Sequence, residues 1–274
     1  MTGEHAITAA PLSGLDADLE RRFGGLRRLH GDAHYERLRA ARVAVVGLGG
    51  VGSWVAEALA RSGVAALTLI DLDHVSEGNI NRQLQATGRT VGQAKALALC
   101  ERLADIHPGC ALYPVEEFVD ADNWPALLPQ PIDALIDACD QVRAKAALAA
   151  WALATDTPFV TVGAAGGKQR PQAVEVADLA EATHDPLLAS LRQRLRQHHA
   201  AARGAPMGVM GVFSREPVQA PLQSCDTASN LNCHGYGSSV TVTATFGMVA
   251  AAEAIRQVLQ RRVETLPTTG RAGL

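Results

Sequence analysis

Seven side chains between Asp71 and Asp140 have the types needed to handle a polyphosphate. They are the carboxylates Asp71, Asp73 and Asp140, the amides Asn79 and Gln83, and the cations Arg82 and Lys95. Ahead of them stand Gly47, Gly49, Gly50 and Gly52 in the run GLGGVGS. Glycines at this spacing permit a tight turn and a close backbone approach to phosphate, and a helix starting there offers unpaired N–H donors. The glycines with Asp71, nineteen residues after Gly52, would by themselves suit a nicotinamide dinucleotide equally well. A hydride-transfer site, however, has no use for Asn, Arg and Lys crowded beside phosphates it must leave intact. Attack at an α-phosphate does need fixed cations and amide donors, because its catalysis is positioning plus electrostatics. In that chemistry Asp71 accepts from ribose hydroxyls, and Asp140 offers Mg²⁺ the hard oxygen it prefers. Singly, each residue has a plainer reading: Asn79 and Gln83 as turn caps, Lys95 as a solvated helix-start lysine, Asp140 as an N-cap. The combination at these spacings carries the inference.

Positioning these groups requires alternating strands and helices. Continuous apolar runs at 42–46, 66–70, 134–137 and 158–162 read as strands buried on both faces, and 111–119 and 173–176 as further strands. Helical patterns cover 21–42, 53–61, 92–105, 142–155, 186–199 and a last segment ending near 262. The βαβ order predicts an α/β, Rossmann-like doubly wound, mostly parallel sheet with helices on both faces and a C-terminal elaboration. The expected organisation is a flexible lead-in over 1–20, one domain over 21–262 and a tail over 263–274. Within the domain, 42–163 is the nucleotide core and 164–262 an elaboration for substrate and dimer contacts. The polar stretch 214–237 reads as a long functional loop.

GLGGVGS, DLDHVSEGNINRQ, VGQAK and DACD, in that order, resemble the ATP-binding core of the E1-like ThiF/MoeB/HesA superfamily, whose members adenylylate a carboxylate. The resemblance implies that Asp71 takes the ribose, that Asn79, Arg82 and Lys95 take the triphosphate, and that Asp140 binds Mg²⁺. It also implies an arginine finger upstream of the first strand, often lent by the second subunit of a dimer, for which the candidate here is Arg22. Superfamily members that activate ubiquitin-like sulfur carriers carry zinc CxxC pairs, and this chain has no CxxC. Its later segments (RFGGLRRLHG, the glycine run 162–167, Asp185-Pro186 with the arginine-rich helix, and Cys233-His234-Gly235) resemble the tRNA threonylcarbamoyladenosine dehydratase branch over 21–262. That branch implies ATP-dependent cyclisation of a threonylcarbamoyl group on the adenosine next to the anticodon. The alternative is an adenylyltransferase for a sulfur-carrier C-terminus. Also implied are a homodimer, a cysteine-desulfurase or sulfur-acceptor partner, a monovalent cation as a further cofactor candidate, and Cys233 as a candidate nucleophile.

The composition bounds these readings. At 274 residues, 47% hydrophobic and 19% charged, the chain has material for one large core, which excludes disorder as its main state. A net charge of −3 excludes a generally basic coat, yet the charge is uneven. Seven arginines face two acids over 21–42, and no acid falls between Pro186 and Arg203. Arg27, Arg28, Arg192, Arg194 and Arg196 are therefore the candidate tRNA phosphate contacts. Five cysteines without a CxxC and an N-terminus without a basic-then-apolar leader fit a reducing, cytoplasmic compartment. The uncharged run 235–252 approaches membrane-spanning length, but its threonines and serines mark a buried element leading into a helix.

Overall fold

The structure, a computed structural model, describes residues 15–219 and 236–261. Two helices, α1 (Leu15–His30) and α2 (Asp32–Ala40), precede the first strand. The alternating part runs β1 (Arg42–Val46), α3 (Gly52–Arg61), β2 (Ala66–Ile70), α4 (Lys95–Ile106), β3 (Ala111–Val115), β4 (Ala134–Asp137), α5 (Val142–Thr155) and β5 (Phe159–Val162). Then come β6 (Val174–Asp178), α6 (Pro186–His198), β7 (Met210–Ser214) and α7 (Val240–Gln260). All seven strands join one sheet in the order β3-β2-β1-β4-β5-β7-β6. Every pairing is parallel except β6 with β7 at the edge.

Burial of both faces explains the continuous apolar strands. Val43 and Val45 of β1 pack with α3, α4 and α7, while Ala44 and Val46 face the opposite layer of α5 and α6. Within the first layer α7 crosses α3 at Gly247, where a Cβ would stand 2.7 Å from both the Trp54 Cβ and the Val51 carbonyl oxygen. Chain order reverses at β1: β2 lies on one side and β4 on the other. Open α/β sheets bind ligands at such a reversal, outside the carboxyl ends of the strands.

Four boundaries differ from the sequence-based expectations by more than two residues. Helix already starts at Leu15, inside the supposed lead-in, and 21–42 divides into two helices at Gly31, whose φ is +78°. β3 ends at Val115 rather than 119, and α4 begins at Lys95 rather than 92, because His74 and Ala94 form an antiparallel bridge that keeps the preceding segment extended. β7 went unforeseen. The threonine-rich start of 235–252 is helical from Val240, with Ser239 as its N-cap accepting from the Thr241 N–H. Among the described residues no helix is long and apolar enough to cross a membrane.

Candidate active site

The turn between β1 and α3 is built around its glycines. Gly47 adopts φ +85°, and a Cβ on it would stand 2.7 Å from the Cys139 nitrogen and 2.8 Å from the Ala138 carbonyl carbon. A Cβ on Gly52 would overlap the Gly47 carbonyl oxygen, so the turn closes only without side chains at both positions. Gly50 admits the Arg82 stem, whose Cγ would be 3.2 Å from an added Cβ, and a Cβ on Gly49 would meet Gln83 Nε2 at 4.0 Å. The hydroxyl of Ser53 donates to the Gly49 carbonyl (2.7 Å) and accepts from the Leu84 N–H (3.2 Å), which ties the turn to the segment after Asp71.

That segment brings the expected groups to one edge. Both carboxylate oxygens of Asp71 accept backbone N–H groups, from Leu48 at 2.6 Å and Asp73 at 2.9 Å. Asp71 thus holds the glycine turn, and its remaining lone pairs are what a ribose hydroxyl could use. Burial raises its pKa above the ordinary value, against the opposing pull of Lys95 and the two N–H groups. Backbone bonds from Val75 N–H to Gln93, from Gly92 N–H to Val75 and from Lys95 N–H to Asp73 seat the start of α4 beside the 73–75 strand-like segment. They place the Lys95 ammonium 2.7 Å from Asp73 Oδ2. The lysine side chain is 7% exposed and its partner 57%.

Arg82 donates to the Gly78 carbonyl (2.7 Å) and to Asn81 Oδ1 (2.9 Å), while Trp54 Nε1 donates to its carbonyl (3.0 Å). Asn79 shares in a capping box with Ser76, its Oδ1 accepting from the Ser76 N–H at 3.1 Å. Gln83 is buried beside Gly49, and its Oε1 has no partner among the described residues. A buried acceptor left open beside a glycine turn is a position that a ligand hydroxyl or amine would complete. Asp140 follows β4 on the same edge. It is exposed and has no hydrogen-bond partner among the described residues, and the N-cap of α5 is Gln141, so Asp140 is not the helix cap. Among the described residues no three His, Cys, Asp or Glu side chains cluster as a ready-made metal cage. A lone carboxylate beside a phosphate-binding turn still matches how Mg²⁺ is held, since that ion takes one or two carboxylates and completes its shell with phosphate oxygens and water.

The structure separates other expected residues from this edge. Arg22 donates to the Ile106 carbonyl (3.1 Å) and the Asp105 carbonyl (3.4 Å), and its Nε to Asp18 (2.6 Å). It caps the C-terminus of α4, about 16 Å from Lys95 at 1.5 Å per residue, so it does not reach the glycine turn of its own chain. Arg27 is ringed by Glu20, Asp32 and Glu36 and lies 4.3 Å over the Tyr35 ring. These acids raise its pKa and offset its charge locally. Arg192 donates to the Leu179 and Ala182 carbonyls and Arg196 to the Ala202 carbonyl, so both brace the start and end of α6. Arg28 and Arg194 have no bonded partner among the described residues, and Arg28 is exposed. Cys225 and Cys233 lie outside the described residues.

Sequence reasoning missed three contributors. Asn81 Nδ2 donates to the Ser238 carbonyl (3.0 Å) and joins the Asp71–Gln83 segment to the approach to α7. Gln85 donates to the Leu48 carbonyl (2.9 Å) and steadies the glycine turn from below. Lys145 and Asp137 form a fully buried ion pair under the end of β4. A lysine inside the otherwise apolar Ala144–Ala152 run was the available signal for the last.

Comparisons with known proteins show the family. The model of the ThiF family matches residues 21–271. The tRNA threonylcarbamoyladenosine dehydratase of Haemophilus influenzae is 39% identical over 248 residues, covering 89% of this chain and 95% of that protein. The dehydratase of the same name from Escherichia coli is 40% identical over 253 residues, covering 88% and 94%. A crystal structure of the Escherichia coli tRNA N6-threonylcarbamoyladenosine dehydratase in complex with ATP superposes with a TM-score of 0.80 at 41% identity, covering 87% of this chain and 94% of that one.

Proposed function

The chain belongs to the ThiF family, and from that premise we propose that it is an ATP-dependent tRNA threonylcarbamoyladenosine dehydratase. The observation that carries the reading is the near full-length match to dehydratases of that name, one of them solved with ATP, together with the cation and amide set at the glycine turn. The family match extends through the C-terminal elaboration, to residue 271.

In this reading the α3 N-terminus and the glycine turn receive phosphate oxygens through free backbone N–H groups. Lys95 exchanges its contact with exposed Asp73 for a phosphate oxygen, and Arg82 and Asn79 supply further donors. A carboxylate oxygen of the threonine moiety attacks the α-phosphorus, and the bond to pyrophosphate breaks. Fixed cations stabilise the charge that gathers on the phosphoryl oxygens. The ureido group of the same modification then attacks the activated carbonyl, closes the ring, loses its proton and expels AMP. Ring closure within one substrate requires no enzyme thiol, which leaves Cys233 without a necessary role. Asp140 is the residue that would hold Mg²⁺, which supplies charge neutralisation on phosphate oxygens. On the resemblance alone rest a homodimer, a cytoplasmic site of action, a monovalent cation and a desulfurase partner.

The test is pyrophosphate release with two acceptors, a tRNA bearing threonylcarbamoyladenosine and a sulfur carrier ending in Gly-Gly. Release with the tRNA, accompanied by a product 18 Da lighter, supports the reading. Release with the carrier alone refutes it.

A further inference from the structure

Beneath the turn that carries Asp140 lies a closed polar network. Asp137 and Lys145 are both fully buried, with Nζ 2.9 Å from Oδ2. The same Oδ2 accepts from the Thr161 hydroxyl at 2.7 Å. Oδ1 accepts from the Cys139 N–H at 3.2 Å and from its thiol at 2.9 Å. Lys145 places its other protons on Thr161 Oγ1 (3.2 Å) and on the Asp137 carbonyl (3.4 Å). Each carboxylate oxygen is engaged on a different element, so the Asp137 side chain cannot rotate without breaking bonds to α5, β5 and the turn together.

Stability does not account for this arrangement, because a buried ion pair replaced by apolar side chains of similar volume often leaves a protein as stable as before. The turn above it is the more telling feature. Ala138 N–H donates to the Val46 carbonyl (2.8 Å), and the Ala138–Cys139 peptide forms the wall against which Gly47 has room only for a hydrogen. Asp140 is the next residue, and it is exposed.

We propose that Asp137, Lys145 and Thr161 are positioning residues for the nucleotide. They lock the turn 138–140 against the glycine loop, so that the wall of the cradle and the Asp140 carboxylate hold one placement before ATP arrives. The proposal rests on the reading of this edge as an ATP site. Preorganisation of this kind acts on binding and on the transition state through groups that touch neither.

Calorimetric titration of ATP into the full chain, without tRNA and in Mg²⁺ or EDTA, tests it. The double variant Asp137→Leu with Lys145→Met removes the charges and the acceptor of the Cys139 N–H. Asp137→Asn with Lys145→Met removes the charges but keeps an amide oxygen for that N–H. The first is expected to weaken ATP binding about tenfold in Mg²⁺ and less in EDTA, and the second, which loses Lys145 but keeps the anchor of the turn, to weaken it about threefold. Equal affinity of all three proteins, or equal losses in both doubles, would overturn the proposal. Should the leucine variant not fold, Thr161→Val removes one anchor of Oδ2 and is expected to weaken Mg²⁺-dependent binding about threefold; unchanged affinity there overturns it too. If the unsubstituted chain binds no ATP, the nucleotide reading itself falls first.

Discussion

Lys95 offers the sharpest measure of the adenylylation site. Its ammonium sits 2.7 Å from Asp73, whose side chain is 57% exposed. An ion pair with one partner so open to water is worth about 0.2–1 kcal/mol. Removing a preorganised donor that faces developing charge in a water-poor site costs about 2.7–4 kcal/mol, or about 10²–10³ in kcat. In the proposed adenylylation the contact with Asp73 is the weaker of the two, so the lysine is free to follow the reacting phosphate. Lys95→Ala is expected to lower kcat/KM for tRNA-dependent pyrophosphate release by about two to three powers of ten. Asp73→Asn separates the two roles this aspartate could play. If it only holds Lys95 in waiting, its loss frees the lysine and ATP KM falls by at most about fivefold, the equivalent of about 1 kcal/mol. If it binds nucleotide, KM rises. Steady-state kinetics with saturating tRNA give both numbers, and thermal unfolding of each variant guards against a folding defect, since Asp71 depends on Lys95 to offset its burial. A Lys95→Ala enzyme within threefold of the original would refute the assignment.

Other expectations follow from the same coordinates. Burial pushes the Cys100 and Cys110 thiols up to about 12 and raises Cys139 well above its ordinary value, with Asp137 adding to the effect at Cys139. Peptide mapping after brief iodoacetamide treatment at neutral pH should find all three unmodified, and rapid labelling of any of them in the native protein would contradict their placement. His107 is held down to about 4, first by burial and then by Arg39. Between that value and 6.5 the unfolded chain binds the proton and the folded one does not, so stability falls as pH drops through this window, by roughly 3 kcal/mol for this residue. His107→Gln should flatten the melting temperature against pH there, and an unchanged slope relative to the original chain would sink the assignment. For RNA, Arg28→Ala and Arg194→Ala should each reduce the salt slope of tRNA binding by about one, whereas Arg27→Ala should leave it unaltered because three acids already neutralise that side chain. Filter binding at several salt concentrations distinguishes the two outcomes.

How much was legible depended on how local the signal was. β1, β2, β4 and α5 have the bounds their sequences suggest, because a strand buried on both faces needs an unbroken apolar run and α5 has clear ends. β7 was hidden by Gly211 and by the short Ala/Gly/Pro-rich stretch before it, although pairing on two sides with β5 and β6 stabilises it in place. Val240–Thr245 alternates like a strand, yet packing of Val242, Phe246 and Ala250 into the core makes it helix, with Thr245 back-bonded to the Thr241 carbonyl. At the site, the gathering of Asp71, Asn79, Arg82, Gln83 and Lys95 was readable because it lies within one segment. The engagement of Arg22 with α4 and the coupling of Asp137, Lys145 and Thr161 were not, since each depends on partners brought together only by the sheet.

The crossing of α7 over α3 at Gly247 sets a timetable for the whole molecule. Trp54 and Gly247 are separated by about 190 residues of chain, so at about 5–20 residues per second roughly 10–40 s of synthesis pass between them. Throughout that interval the helix that opens the glycine turn has been made, but the apolar side destined for α7 has nothing to cover it. Long-range closure of this kind delays folding until the last helix leaves the ribosome. A fragment ending at 163 would carry every glycine of the turn and still lack the brace behind it. ATP can therefore select only finished chains, and the first motif written in the sequence is among the last surfaces to become functional.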